Sequence, residues 1–180
     1  MSTEKETVDR QGRSNTKRNW LLIASVVIVA LVLVRIFLPP LGRVGQEAAA
    51  IQARWIEPRA AGDTVSIRVG EVEDNRNVHF KVETQSGDMH FMAYILDAQI
   101  YVRASVCPPC RGIGYSLDGD VLVCDRCATT FRARTGEGIR GACVSYPKAA
   151  VAYSISNGSI VMRNADLVEA YQNTLEPGQP

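Results

Sequence analysis

Four of the five cysteines in this 180-residue chain fall in two CxxC pairs, Cys107-Pro-Pro-Cys110 and Cys124-Asp-Arg-Cys127, with thirteen residues between the pairs. No other feature of the sequence constrains the fold as strongly. A CxxC turn offers two sulfurs to one centre, and the Asp118-Gly119 pair between the turns is a hairpin signal. Such a hairpin lays one turn over the other, as four thiolates around a tetrahedral metal require. Thiolates suit Zn²⁺ or iron, not Mg²⁺ or Ca²⁺. Cys107, Cys110, Cys124 and Cys127 are the expected metal ligands. Disulfides are the competing use of the same cysteines, since thiols oxidise outside the cytoplasm. Five is an odd number, however, and a domain with its own core needs no staple of this form.

The rest of the chain divides by composition. Residues 1–19 hold five Lys or Arg, three acids and almost no large apolar side chains, and are expected to form a disordered cytoplasmic tail. Residues 20–38, from Trp20 to Leu38, carry one charge, Arg35. As a helix they span about 28 Å, close to the hydrocarbon thickness of a bilayer. The run is too long for a signal peptide and lacks a small-residue cleavage site at its end. It predicts a single uncleaved transmembrane anchor, stopped by Pro39-Pro40. Lys17-Arg18 flank it on the N-terminal side, so the positive-inside rule leaves the tail in the cytoplasm. The expected location is the inner (cytoplasmic) membrane, with the C-terminal domain periplasmic.

Residues 39–60 read as a stalk or linker helix, with Val44, Ala48, Ile51 and Trp55 at helical spacing. From there the period becomes two. Val65, Ile67 and Val69 alternate with polar residues, as do Val78, Phe80 and Val82; Met89–Leu96 and Gln99–Ala104 follow. A second hairpin is expected around Asn157-Gly158, and residues 164–175 read as a helix capped by Asn164, with Leu167, Val168, Tyr171 and Leu175 on one side. The fold class is mainly β: one N-terminal transmembrane helix, a small β domain over 61–177 and a short C-terminal helix. The domain holds a cysteine-rich metal-binding module at 103–148.

Composition removes several functions. Twenty basic against 19 acidic residues give a net charge of +1, unlike a dedicated nucleic-acid binder. Two histidines are too few for a His-rich metal site. His79 and His90, the latter flanked by Met89 and Met92, read as strand residues before they read as copper or iron ligands. Tyr115 is expected to pack on the cysteine loops. Residues 103–148 carry seven basic and four acidic side chains, a solvated surface or a docking face for an acidic redox partner.

The run from Val106 through Cys107, Cys110, Gly114-Tyr115, Cys124, Cys127 and Phe131, followed by Gly136–Lys148, resembles the FtrD-like membrane iron–sulfur proteins. Those show a CxxC, a Gly-Tyr hairpin, a second CxxC with a following Phe, and a Gly-Gly-Cys-Asn-Pro segment. Upstream, Asp63–Phe80 is similar to that family's first strands, so the resemblance covers residues 63–148. It implies an extracytoplasmic iron–sulfur protein that accompanies an Ftr-type iron permease and passes electrons during iron uptake. Its cofactor would be an iron–sulfur cluster, and its partners an iron permease or other membrane redox protein, not nucleic acid. In place of Gly-Gly-Cys-Asn-Pro stands Gly141-Ala142-Cys143-Val144-Ser145, with Pro147 displaced. Cys143 is accordingly read as a thiol behind the ligands or as an additional ligand, approached through the glycine-rich stretch 136–142.

A looser likeness is to Rieske domains, whose two histidine positions would be Cys110 and Cys127 here. All-thiolate ligation places the potential toward about −400 mV rather than the roughly −150 to +300 mV of Rieske centres. Two other readings stay open: a structural zinc ribbon used for protein interaction, since Cys-Pro-x-Cys turns are zinc knuckles, and a thiol–disulfide redox protein using one CxxC pair. The sequence favours an electron carrier over an enzyme.

Overall fold

The computed structural model describes residues 26–28 and 49–178, and the chain divides into two units, 1–47 and 48–180. In the first unit Val26, Val27 and Ile28 are helical and exposed. The rest of the expected anchor, the tail 1–19 and residues 39–48 lie outside the described residues. Among the described residues no helix is long and apolar enough to cross a membrane.

The second unit is mainly β with a C-terminal helix. Its elements are β1 (Arg54–Trp55), β2 (Arg59–Ala61), β3 (Thr64–Arg68), α1 (Val69–Asn75), β4 (Asn77–Thr84), β5 (Gly87–Leu96) and β6 (Gln99–Ala104). Then come β7 (Tyr115–Asp118), β8 (Val121–Cys124), β9 (Thr130–Arg132), β10 (Gly138–Arg140), β11 (Ser154–Ser156), β12 (Ser159–Arg163) and α2 (Asn164–Leu175). They form three four-stranded sheets, ordered β1-β4-β5-β6, β10-β9-β8-β7 and β11-β12-β3-β2.

The first of these sheets is buried on both faces. Phe80 pairs with Phe91 and Val78 with Ala93; these four join Val65, Ile67, Ile160, Met162 and Leu167 in one core. The alternate residues of β5, Met92, Tyr94 and Leu96, point the other way. They pack with Tyr115, Leu117, Leu122, Phe131 and three cysteines in a second core. Period-two alternation thus serves two cores from one strand, which is why Phe91–Tyr94 is continuously apolar.

Several expectations need correction. Over residues 49–60 the expected stalk helix is instead extended: β1 pairs in parallel with β4, β2 pairs with β3, and Ile51 bridges Leu117. The helical spacing of Ile51 and Trp55 is outweighed by backbone bonds to distant strands. Val69 opens α1 and does not extend β3; the helix buries Val72 and ends at Arg76, in the left-handed conformation at φ 62°. The Asp118-Gly119 hairpin turns one residue later, at Gly119-Asp120, because Asp118 pairs with Val121. Asn157-Gly158 turns as expected, with φ of 48° and 70°, the signs a type I′ turn requires. In α2 Asn164 is the first helical residue, and Arg163 takes the cap position. The helix buries Leu167, Ala170 and Thr174, while Val168 and Leu175 are exposed.

Candidate metal centre

The two CxxC segments fold into matching knuckles. In the first, the Arg111 N–H donates to the Cys107 carbonyl (2.7 Å) and the Cys107 N–H to the Gly112 carbonyl (2.8 Å). In the second, the Ala128 N–H donates to the Cys124 carbonyl (2.9 Å) and the Cys124 N–H to the Thr129 carbonyl (2.9 Å). Arg111 and Ala128, at the same place in each, have φ of 57° and 55°. The β7–β8 hairpin links the knuckles, with Tyr115 paired to Cys124.

All five cysteines are free thiols and all five converge. The sulfurs of Cys107, Cys110, Cys127 and Cys143 lie within 4.8 Å of one another. Cys124 Sγ is 3.8 Å from Cys110 Sγ, and Cys127 Sγ is 3.8 Å from Cys143 Sγ. Cys107, Cys124 and Cys143 are buried; Cys110 and Cys127 reach the surface in part. Cys143 therefore stands in the same sulfur group as the CxxC residues. A Cβ at Gly136, Gly138 or Gly141 would strike Lys148, Val144 or Thr129 respectively, whereas one at Gly112 would lie 2.8 Å from Cys124 Sγ and 3.2 Å from Cys110 Sγ.

Burial pushes the Cys107 thiol well above its ordinary range and Cys124 up to about 11. At Cys127 the effect of burial is outweighed by the Thr129 hydroxyl and N–H and by the neighbouring thiols, giving about 6. The Thr129 hydroxyl oxygen, 3.2 Å from Cys127 Sγ, also accepts the Cys143 N–H at 3.3 Å. Cys127, on the partly exposed side of the group, thus ionises more readily than an ordinary thiol.

Residues 72–173 match the family described as membrane iron-sulfur containing protein, FtrD-like. The chain belongs to this family. Two solved structures are more distantly similar, both with a TM-score of 0.45. One is the complex of reduced oxygenase and oxidized ferredoxin in carbazole 1,9a-dioxygenase, 16% identical over 55% of this chain and 93% of that one. The other is the Sphingomonas yanoikuyae B1 ferredoxin, 19% identical over 53% and 92%. No curated protein matches the sequence.

As an FtrD-like protein, the chain has an iron–sulfur cluster as its cofactor. Its residues fit that group: the donor set is all sulfur, on two knuckles of the kind that present paired thiolates. Two thiolates at bonds of about 2.3 Å on one tetrahedral metal are separated by roughly 3.8 Å. The Cys110–Cys124 separation matches that value, and so does Cys127–Cys143, a pair that only a ligand set including Cys143 would use.

Sequence reasoning missed the surroundings of this FtrD-like centre. Lys148 is wholly buried, and its ammonium donates to the Val106 carbonyl at 2.7 Å. It lies over the Phe131 ring (4.6 Å to the centroid) and the Tyr115 ring (5.5 Å). Burial lowers its pKa to about 8, while the thiols of Cys107, Cys124, Cys143 and Cys110 work to raise it. Tyr115 packs among the cysteines as expected, its pKa raised by burial and by Cys124 and Cys107, and its hydroxyl makes no hydrogen bond of good geometry among the described residues. Behind it stands buried His79, whose ring nitrogens make no hydrogen bond of good geometry among the described residues, though the Ile113 carbonyl acts on them as an acceptor. Burial takes His79 down to about 4, the Ile113 carbonyl opposing and His90 adding to the shift. The grooves of about 430, 280 and 250 Å³ in the β domain are lined by other residues and contain none of the cysteines.

Proposed function

We propose that this chain is a membrane-anchored, extracytoplasmic one-electron carrier serving an Ftr-type iron permease, with Cys107, Cys110, Cys124 and Cys127 as ligands of its iron–sulfur cluster. The observation that carries this reading is the pair of matching knuckles, each presenting one buried and one partly exposed sulfur. The cluster supplies a one-electron couple, and no bond of the protein is made or broken as the electron enters and leaves. Burial of Cys107 and Cys124 keeps water from the inner side. Partial exposure of Cys110 and Cys127 brings the outer side within reach of a partner. Exposed Arg111 and Arg126 stand beside these cysteines in sequence and suit a partner whose docking face is acidic.

The apolar segment 20–38 supports the anchor, and the basic residues before it support an extracytoplasmic domain. Iron uptake by cells lacking the chain tests the reading. Full-length protein should restore uptake through the permease, and a Cys110→Ser chain present at the same level should not. Restoration by Cys110→Ser, or uptake unaffected by loss of the chain, would refute it.

The compact foursome in which Cys143 replaces Cys124 is a second ligand set, favoured by the mutual 4.8 Å spacing of its sulfurs. Serine variants separate the two sets. The proposed set requires Cys124→Ser to lose its iron and Cys143→Ser to keep it with an altered potential or cluster lifetime; the reverse assigns Cys143 as the ligand.

A further inference from the structure

A lysine with no exposed surface needs a counter-charge, because an isolated ammonium is strongly disfavoured in an apolar interior. None of the ion pairs among the described residues includes Lys148. Its polar contact is a neutral carbonyl, Val106 O, and its other neighbours are the faces of Phe131 and Tyr115. Val106 adjoins Cys107 in the chain, and Phe131 and Tyr115 pack in one core with Cys107, Cys124 and Cys143, so among the described residues the cysteines are the groups beside the ammonium that can carry negative charge.

The position is held from several directions. The Lys148 N–H donates to the Gly136 carbonyl (2.8 Å), and its own carbonyl accepts from buried Arg103 Nη1 (2.8 Å). Arg103 Nε donates to the Tyr94 hydroxyl (2.9 Å), which donates to the Ala133 carbonyl (2.6 Å). The Ala149 N–H donates to Thr174 of α2 at 2.9 Å. Gly136, with φ of 83°, allows this approach, since a Cβ there would lie 2.1 Å from the Lys148 carbonyl oxygen.

We propose that Lys148 is a built-in counter-charge to the thiolate centre and sets its reduction potential. The inference rests on the thiols holding a redox-active cluster. Adding one electron makes the centre more negative by one charge, and a fixed positive charge in a dry site favours that state. Removing the charge lowers the potential. Lys148 is a positioning residue of the electrostatic kind: it ligates nothing and exchanges no electron.

The test uses the full-length protein, loaded with iron and sulfide, as wild type, Lys148→Met, Lys148→Gln and Lys148→Arg. In the two uncharged variants the one-electron reduction constant should fall at least ten-fold, a downward shift of about 59 mV. Lys148→Arg should recover most of it. Unchanged or raised midpoints in both loaded uncharged variants would overturn the proposal. If neither takes up the cluster, thermal unfolding of the metal-free proteins decides. Melting like wild type would leave the loaded centre as what needs the charge, in support. Equal destabilisation without metal, or failure to fold, would assign Lys148 to the core and overturn the proposal. A wild type that takes up no iron or sulfide would instead refute the underlying reading, before any change at position 148.

Discussion

The two faces of β5 support different kinds of core. Phe91 and Ala93 face a core of aliphatic and aromatic side chains, closed by Leu167 and Ala170 of α2. Met92 and Tyr94 face one that mixes aromatic rings with thiols and lies against a lysine and a tyrosine hydroxyl with no hydrogen bond of good geometry among the described residues. The first is stabilised by area removed from water, at about 1.5–3 kcal/mol per large side chain. In the second, much of the buried surface is polar or ionisable, so its stability depends on what the sulfurs hold. The contrast teaches that the framework can fold on hydrophobic burial while the cysteine core is completed by its ligand.

Breaking the cysteine core at its ligands should have the largest effect. Cys110→Ser and Cys127→Ser should abolish iron binding, measured by metal analysis, while the far-ultraviolet circular dichroism of the β domain persists. Damage to the framework core should give the opposite pattern. Phe80→Ala, at a wholly buried site stacked on Phe91, should cost about 3–5 kcal/mol in denaturant unfolding and leave iron per folded molecule unchanged.

Acid sharpens the comparison through His79, which lies between Trp55 and Tyr115. Its folded pKa of about 4 is below the unfolded 6.5, so between those values the unfolded chain binds more protons. The stability His79 supplies is complete above pH 6.5 and is lost as pH falls toward 4, roughly 3 kcal/mol in all. Unfolding measured across that range should show a flatter acid limb for His79→Leu than for wild type. Gly112→Ala should have the smallest effect: little change in melting, but an altered visible spectrum or faster cluster loss, because the added methyl meets the sulfurs of Cys124 and Cys110.

Local signals were legible in the sequence and non-local ones were not. Alternation in Val78–Val82, the Asn157-Gly158 turn and the C-terminal helix depend on neighbours a few residues away. The CxxC knuckles are likewise local turns. By contrast, the extended course of residues 49–60 is fixed by pairing with β4, β3 and Leu117, so helical spacing misled there. Lys148 reads as a surface lysine after a proline, yet it is buried by Val106, 42 residues earlier, and by the Phe131 ring. Cys143 joins the other sulfurs through Thr129, a contact its spacing does not encode.

The central claim is that these thiols hold an iron–sulfur cluster that carries single electrons. Metal and acid-labile sulfide analysis of anaerobically purified full-length protein, with electron paramagnetic resonance before and after one-electron reduction, tests it most directly. The account predicts iron and sulfide in equal amounts, visible colour, and a change in the resonance signal on uptake of one electron. A colourless protein holding one zinc and no sulfide would contradict it.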